Sequence, residues 1–168
     1  MKPLVSIIMG STSDWPIMKK AALFFEEMEI PFEVNALSAH RTPEKVEKFA
    51  KNASDNGIKI IIAGAGMAAH LPGVIAAMTP IPVIGVPIKA SLDGLDSLLA
   101  IVQMPPGIPV ATVAINGSLN AGILAAQMLS VNNNDMFNKT VEYKENLKLK
   151  IVKANEELQK EKFNFRTN

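Results

Sequence analysis

The residues best suited to chemistry in this sequence lie in one short segment, Ser38–Pro43, in which His40 stands beside Arg41. Histidine can give and accept a proton near neutral pH. An arginine guanidinium can hold a phosphate or a carboxylate through two parallel hydrogen bonds. The chain has two histidines in all, so the surroundings of each are informative. The segment predicts a site that binds an anion and moves a proton.

A second polar segment, Gly10–Asp14, follows the first apolar run of the chain and precedes a helix pattern. The free amide groups and the dipole of a helix N-terminus attract anions, and three hydroxyls in this segment add donors. Asp14 could bind sugar hydroxyls or cap the helix, and capping is the commoner role for such a residue taken alone. The segment is not a P-loop, because no Gly-Lys-Ser/Thr follows.

A third segment, Gly64–His70, fits the dinucleotide fingerprint G-x-G-x-x-A in form. That fingerprint belongs after the first strand of its unit, with an acidic residue ending the next strand. The next apolar run here, Val83–Pro87, has no acid, so we reject a dinucleotide site and expect the glycines to let a ligand approach the backbone. His70 opens a helix pattern, and a capping or packing role and a catalytic role both remain open for it.

Alternating strand and helix patterns position these segments. Apolar, β-branched runs predict strands and periodic segments predict helices. The predicted strands are Leu4–Met9, Phe32–Leu37, Lys59–Ala63, Pro82–Val86 and Val110–Ala114. The predicted helices run from Ser13 or Asp14 to Glu29, from Pro43 (capped by Thr42) to Gly57, and over Leu71–Met78, Asp93–Val102 and Asn120–Leu129.

Five such βα units predict an α/β fold, a three-layer doubly wound parallel sheet with right-handed crossovers. Ligands bind such sheets beyond the carboxyl ends of the strands, where the strand order reverses. The three polar segments all fall at strand ends, so we expect one shared site.

The last part of the chain differs in composition. Residues 132–168 are charged and helical in pattern, with apolar residues three, four or seven positions apart; they are Met136, Tyr143, Leu147, Ile151, Ala154 and Leu158. We therefore expect a catalytic domain over residues 1–131 and a long C-terminal helix over residues 132–168. The sequence leaves open whether this helix packs on its own domain or on a neighbouring subunit.

Composition excludes several classes of function. The net charge of +1 gives no electrostatic reason to expect nucleic acid or an anionic membrane as a partner. The chain has no cysteine, and two histidines supply too few ligands for a metal centre. A Ser-His-Asp hydrolase is disfavoured because no G-x-S-x-G motif is present. No membrane span and no signal-peptide pattern is visible, so we expect a soluble, cytoplasmic protein.

Charge placement predicts assembly. Between Ile60 and Leu129 the charged side chains are Lys89, Asp93 and Asp96. Exposed helix faces normally carry charge. Either the helices of this stretch are buried within one chain, or other copies of the chain cover them, and we favour the second interpretation.

In combination these segments resemble a known family. The sequences GSTSDW (residues 10–15), SAHRTP (38–43) and GAGMAAHLPG (64–73), followed by GVP (85–87) and SLLAIVQMP (97–105), are similar to those of class I N5-carboxyaminoimidazole ribonucleotide mutases of bacterial purine synthesis. The similarity covers about residues 4 to 130. Met67 stands where the family often has glycine, and the segment at residues 116–120 is short relative to some members.

The resemblance implies an octamer of flavodoxin-like subunits that isomerises N5-carboxyaminoimidazole ribonucleotide without metal, ATP or another cofactor. It implies that Ser11, Asp14 and Arg41 bind the ribonucleotide, with Asp14 at the ribose, and that Ser13 and Ser38 help to hold its phosphate. His40 would be the acid/base residue. His70 would be a second catalytic residue, and together with the backbone of Ala65, Gly66 and Met67 it would line the carboxylate or CO2 pocket. Leu71 would be a further substrate-binding residue.

Two other functions stay open. Class II aminoimidazole ribonucleotide carboxylases share the fold and use CO2 directly. They typically have lysine after the loop histidine and lack the second histidine segment, so Arg41 and residues 69–73 favour class I. A non-catalytic nucleotide-binding module is the alternative from outside enzymology.

Overall fold

The computed structural model describes residues 2–168 of the chain. Within them, the strands are β1 Val5–Met9, β2 Phe32–Ala36, β3 Ile60–Gly66, β4 Val83–Ile88 and β5 Ala111–Thr112. The helices are α1 Trp15–Met28, α2 Pro43–Asn52, α3 Leu71–Ala76, α4 Leu95–Val102, α5 Ser118–Ser130 and α6 Asn134–Lys160. Two 3₁₀ turns, Thr12–Asp14 and Leu92–Gly94, precede α1 and α4.

The strands form one sheet in the order β2-β1-β3-β4-β5, and every pairing is parallel. The chain steps from β1 outward to β2 and then returns past β1 to β3, so the order reverses between β1 and β3. This is the flavodoxin-like order, and a ligand crevice is expected at the reversal. The predicted α/β class and flavodoxin-like architecture are confirmed.

Burial explains why the central strands are continuous apolar runs. Every residue of β1 and β4 is buried, as is every residue of β3 except Gly66. A parallel strand covered by helices on both faces has no face for polar side chains. The edge strand β2 is only partly buried, and its Glu33 accepts a hydrogen bond from the buried Ser6 hydroxyl at 2.9 Å.

Several predicted boundaries were wrong. Strand β3 continues to Gly66, so Gly64 and Ala65 are strand residues rather than loop residues. Strand β5 has two residues instead of the predicted five. Helix α2 ends at Asn52, and Gly57 closes a separate turn with φ of 93° and an N–H donated to the Ser54 carbonyl. Propensity does not reveal where pairing stops, because pairing depends on the partner strand.

Two glycines of β3 lie close to neighbouring side chains. A Cβ on Gly64 would lie 2.5 Å from the Met18 sulfur of α1, and one on Gly66 would lie 3.1 Å from the Ala90 Cβ. Our expectation that these glycines admit a ligand to the backbone was therefore wrong for Gly64. Its absent side chain makes room for helix α1 against the sheet.

Gly85 in β4 makes the strongest case of this kind and supports a prediction. A Cβ there would lie 2.4 Å from Ile101 Cγ2 and 2.9 Å from Val110 Cγ1. Both neighbours are β-branched and stiff, so we expect Gly85→Ala to lower the free energy of unfolding by about 1–3 kcal/mol. Urea denaturation measures this change. The matched control is Gly10→Ala, where a Cβ meets nothing within 4 Å; equal stability of the two variants would contradict the prediction.

The chain divides into two compact units, one ending at Met128 and the other spanning Leu129–Asn168. The predicted boundary after residue 131 lies inside the second unit, and the predicted domain division stays a prediction. Helix α6 is 27 residues long, and its N-cap Asn133 accepts a hydrogen bond from Met136 N–H at 3.0 Å. None of its residues is buried. None of the helices formed by residues 2–168 has the length and apolar character needed to cross a bilayer.

Candidate active site

The loops that follow β1, β2 and β3 meet around a cavity of about 540 Å³ at the reversal of strand order. That volume is in the range of pockets that hold small ligands. All eleven side chains or backbone positions expected at the site line this one cavity: Ser11, Ser13, Asp14, Ser38, His40, Arg41, Ala65, Gly66, Met67, His70 and Leu71.

Four lining residues are not among these eleven: Gly10, Ala39, Ala68 and Ala90. Ala90 is the informative one, because it follows β4 and comes from a fourth strand end. The rule that ligands bind at strand carboxyl ends would have found this position. Its small, uncharged side chain carries no chemical signal of its own.

The loop after β1 presents its polar groups at the N-terminus of α1. Ser11 has an extended backbone, and its Oγ accepts hydrogen bonds from the Ser13 N–H at 3.3 Å and the Ser13 hydroxyl at 3.0 Å. Asp14 occupies the N-cap position of α1 but makes no side-chain capping bond. Capping, the commoner role expected for Asp14 from sequence, is therefore not what its carboxylate does. The carboxylate belongs to the cavity wall instead.

Partial burial raises the pKa of the Asp14 carboxyl above its ordinary value of 3.8. Desolvation is the largest cause, and it outweighs hydrogen bonds from the Ser13 side chain and the Ser11 backbone together with the attraction of Arg41. The folded protein therefore binds this proton more tightly than the unfolded chain does.

This shift predicts a pH-dependent stability difference for Asp14→Asn. Ionised Asp14 disfavours folding above both pKa values, and this penalty disappears as pH falls through the folded-state pKa and below 3.8. We expect Asp14→Asn to unfold at a higher temperature than the wild type near pH 7, and the difference to vanish near about pH 3. Thermal melts across that range measure it, with the exposed Asp55→Asn as control; a difference that does not depend on pH would contradict the prediction.

The loop after β2 is organised around Ser38. The Ser38 Oγ accepts hydrogen bonds from the Arg41 backbone N–H at 3.2 Å and from Arg41 Nε at 3.3 Å. Thr42 exchanges bonds with the Ser38 backbone, accepting from its N–H at 3.1 Å and donating to its carbonyl at 3.2 Å. Thr42 thus closes the loop and makes no side-chain cap on α2, contrary to expectation. Both bonds use the Ser38 oxygen as the acceptor, so its hydroxyl proton remains available as a donor.

Arg41 also connects the loops after β1 and β2 through a hydrogen bond. Its Nη2 donates to the Gly10 carbonyl at 2.7 Å, across 31 positions of sequence. The guanidinium has five N–H donors, and the two side-chain bonds described use only two of them. The rest are available to an anion in the cavity, and the fixed orientation reduces the entropy lost when one binds.

The loop after β3 contains a backbone that is unusual for its residue type. Met67 has φ of 54°, in the left-handed region, and its side chain is 60% exposed at the cavity. A non-glycine residue pays about 1–2 kcal/mol to adopt this conformation. Glycine, which the resembling family often has here, adopts it freely. Behind Met67, Ala65 and Leu71 are buried and form the apolar back of the cavity.

The two histidines of the chain are in direct contact. His40 Nε2 and His70 Nδ1 are 2.8 Å apart, and the rings meet edge to face with centroids 5.0 Å apart. His70 is the N-cap residue of α3, but its side chain makes no capping bond. The alternative of a capping histidine is therefore wrong. Sequence indicated that both residues belong to one site, but nothing in it indicated that they bond to each other.

Metal-ligating residues do not gather at this cavity or elsewhere in residues 2–168, where no three His, Asp or Glu side chains converge. The cavity instead combines hydroxyls, an arginine, one carboxylate and a histidine pair at the switch point of a doubly wound sheet. Such a set suits an enzyme that binds a phosphorylated small molecule and transfers protons.

Comparison with known proteins identifies the family. A family model described as AIR carboxylase matches residues 4–150. The N5-carboxyaminoimidazole ribonucleotide mutase of Thermotoga maritima is 55% identical over 158 residues, which are 94% of this chain and 92% of that protein. The chain belongs to the AIR carboxylase family, and the resemblance predicted from its loops is confirmed.

Two further matches are a fungal protein and a solved bacterial structure. A phosphoribosylaminoimidazole carboxylase of Candida glabrata is 62% identical over 143 residues, which are 84% of this chain and 25% of that protein. The chain thus spans about a quarter of the Candida protein. The crystal structure of Treponema denticola PurE aligns with a TM-score of 0.84 and 29% identity, covering 94% of this chain and 99% of that one.

Proposed function

We propose that this protein is an isomerase that converts N5-carboxyaminoimidazole ribonucleotide to 4-carboxy-5-aminoimidazole ribonucleotide in purine synthesis. The observation that carries the proposal is the histidine pair in a cavity lined by the Ser11, Ser38 and Arg41 groups. The relative from Thermotoga maritima has the corresponding name and nearly the same length.

Substrate binding follows from the polar half of the cavity. Arg41 supplies charged donors, and the hydroxyls of Ser11, Ser13 and Ser38 supply neutral ones around the N-terminus of α1, where an anion is favoured. These groups hold the phosphate and ribose, with the Asp14 carboxylate accepting from ribose hydroxyls. Anchoring the phosphate fixes the imidazole ring beside the histidines and leaves the carboxyl group as the part that moves.

The reaction needs a proton delivered and later removed. When a proton reaches the carbamate nitrogen, the bond from that nitrogen to the carboxyl carbon breaks, its electron pair stays on nitrogen, and CO2 is released. Carbon 4 of the imidazole then attacks the CO2, and the proton on carbon 4 leaves. One residue that first gives and then takes a proton serves both steps, and His40 has the chemistry for it. No cofactor is consumed, because the product is an isomer of the substrate.

The apolar half of the cavity has to retain the CO2 between these steps. Ala65, Gly66, Met67 and Leu71 form that wall beside His70. The lack of bulk at Ala65 and Gly66 leaves room for a linear triatomic molecule, and the exposed Met67 side chain lies at the cavity surface. A wall without polar side chains gives water no partners there.

Carboxylation is the second candidate, because the relative from Candida glabrata, of which this chain matches a quarter, is named a carboxylase; class II is the branch that uses CO2 directly. A paired turnover assay tests the two. One arm offers N5-carboxyaminoimidazole ribonucleotide, and the other offers aminoimidazole ribonucleotide with CO2 at ordinary concentration. We expect fast product formation in the first arm alone. Efficient turnover in the second arm would assign the protein to class II, and no turnover in either would favour a nucleotide-binding module.

We also propose that the enzyme is a cytoplasmic homo-octamer. Leu92, Leu95, Leu99 and Val102 are 46–76% exposed in the single chain, within the stretch that has almost no charge. Closed symmetric assembly is the usual way to cover such side chains. Light scattering should give eight times the chain mass of 18.1 kDa. A monomer at micromolar concentration would contradict the proposal.

A further inference from the structure

The hydrogen bond between the two histidines restricts where their protons can be. At 2.8 Å, one of the facing nitrogens, His40 Nε2 or His70 Nδ1, must carry a proton and the other must present its lone pair. Two facing N–H groups at this distance would repel each other. The pair therefore holds one shared proton between the rings, and the doubly charged state with both facing nitrogens protonated is excluded while the bond exists.

The bond also determines which ring nitrogens are free to exchange a proton with a substrate. His40 Nε2 is engaged with His70, so Nδ1 is the ring nitrogen of His40 that can exchange a proton with a ligand. The bond fixes the orientation of the His40 ring and couples its tautomer to that of His70, because a proton on one facing nitrogen requires a lone pair on the other. In the Ser-His-Asp triad, the loss of such a partner leaves the geometry but traps the wrong tautomer, at a large cost in rate.

We propose that His70 is a positioning residue that orients the His40 ring and sets its protonation, so that His40 Nδ1 is the atom that exchanges protons with the substrate. This inference rests on the proposed function and assigns a role that cavity lining alone would not require. The two side chains follow different strands, β2 and β3, and are 30 positions apart in sequence, so the strand order β2-β1-β3 brings them together.

The protons balance over one turnover. The pair starts as a monocation, with one proton on His40 Nδ1, one shared between the rings and one on His70 Nε2. Transfer of the Nδ1 proton to the carbamate nitrogen leaves the neutral pair, with the shared proton now covalently on His40 Nε2. The proton released from carbon 4 returns to Nδ1 and restores the monocation. The shared proton keeps His40 from becoming an imidazolate at any point.

Three substitutions at position 70 test the role. The side-chain amide of asparagine reaches about as far as His Nδ1, so His70→Asn retains a hydrogen-bonding atom for His40 Nε2. In His70→Gln the amide extends to the position of Nε2, away from the one His40 uses, and His70→Ala removes the partner. We expect His70→Ala and His70→Gln to lower kcat by about 100-fold with KM changed by less than about 3-fold, and His70→Asn to recover most of kcat.

A spectroscopic measurement distinguishes a role of His70 in positioning the His40 ring from a role in packing the cavity wall. The protein has two histidines, so ¹⁵N-histidine labelling gives a spectrum in which the His40 ring nitrogens are readily assigned by comparison with His70→Asn. We expect the ¹⁵N shifts of His40 to change in His70→Ala, reporting a redistributed tautomer, and to stay near the wild-type values in His70→Asn. The spectra are recorded on the intact assembly.

Two results would overturn the inference: His40 ring shifts that are the same in the wild type and in His70→Ala, or equal turnover by the asparagine, glutamine and alanine variants. Failure of the proposed function looks different. In that case the wild type itself does not turn over N5-carboxyaminoimidazole ribonucleotide, while the ¹⁵N shifts still report whether His70 controls the tautomer of His40.

Discussion

Replacing His40 by asparagine should abolish measurable turnover while leaving the fold intact. The amide of asparagine keeps a polar group near the position of Nδ1 but cannot carry a proton between two substrate atoms. General acid–base catalysis contributes about 10²–10⁴-fold to enzymatic rates, and here one residue serves two proton transfers, so we expect kcat to fall by at least about 10³-fold. Steady-state and single-turnover kinetics with N5-carboxyaminoimidazole ribonucleotide measure the loss.

Stability should not change with this substitution, because the His40 side chain is exposed and its bond to His70 is also at the surface. The thermal midpoint of the variant is therefore expected to match that of the wild type, and ribonucleotide binding measured by calorimetry should persist. Glu44→Gln, an amide substitution at an exposed position just inside α2, serves as the matched control and should retain full activity. Substantial residual turnover in His40→Asn would remove His40 from the mechanism.

The second large effect is expected at Arg41. Arg41→Lys preserves the positive charge, but an ammonium group cannot reproduce the planar fork that bonds to Ser38 Oγ and the Gly10 carbonyl while facing the cavity. A hydrogen bond to a charged group contributes about 1.5–3 kcal/mol, and about 1.4 kcal/mol corresponds to a factor of ten. We expect KM for the ribonucleotide to rise by about 10- to 100-fold in Arg41→Lys, with a smaller effect on kcat.

The matched control for Arg41 is Lys48→Ala, which removes a positive charge from the exposed surface of the neighbouring α2 without touching the cavity. Unchanged KM in this control excludes a general electrostatic effect. Arg41→Ala should bind substrate more weakly than Arg41→Lys, since it also breaks the tie between the loops after β1 and β2. A wild-type KM in Arg41→Lys would show that only charge is needed at this position.

Much of the fold could be read from local sequence patterns. The strands β1, β3 and β4 are continuous apolar runs because both of their faces are buried, and this leaves a signal in consecutive residues. The edges of elements were less predictable. Strand β5 was expected to have five residues and has two, because its end depends on where pairing with β4 stops.

For the polar residues, membership of the site was predictable from the sequence, but individual hydrogen-bonding roles were not. That Ser38, His40 and Arg41 belong to one site followed from their spacing after a strand. The behaviour of Asp14 and Thr42 did not follow, since each had a side-chain capping bond to its helix available and does not form it. Competing partners within a few residues look equivalent in sequence, and only backbone geometry and the neighbouring loops select among them.

The sequence by itself therefore determined the α/β class, the strand-end positions of the functional segments and the residue types that meet there, because these depend on near neighbours in the chain. Tertiary structure alone decided the contact of His40 with His70, the bond from Arg41 to the Gly10 carbonyl and the place of Ala90 in the cavity wall. Each of these joins segments brought together by the strand order β2-β1-β3-β4-β5. Such contacts depend on distances fixed by the packing of the whole sheet, to which no local pattern is sensitive.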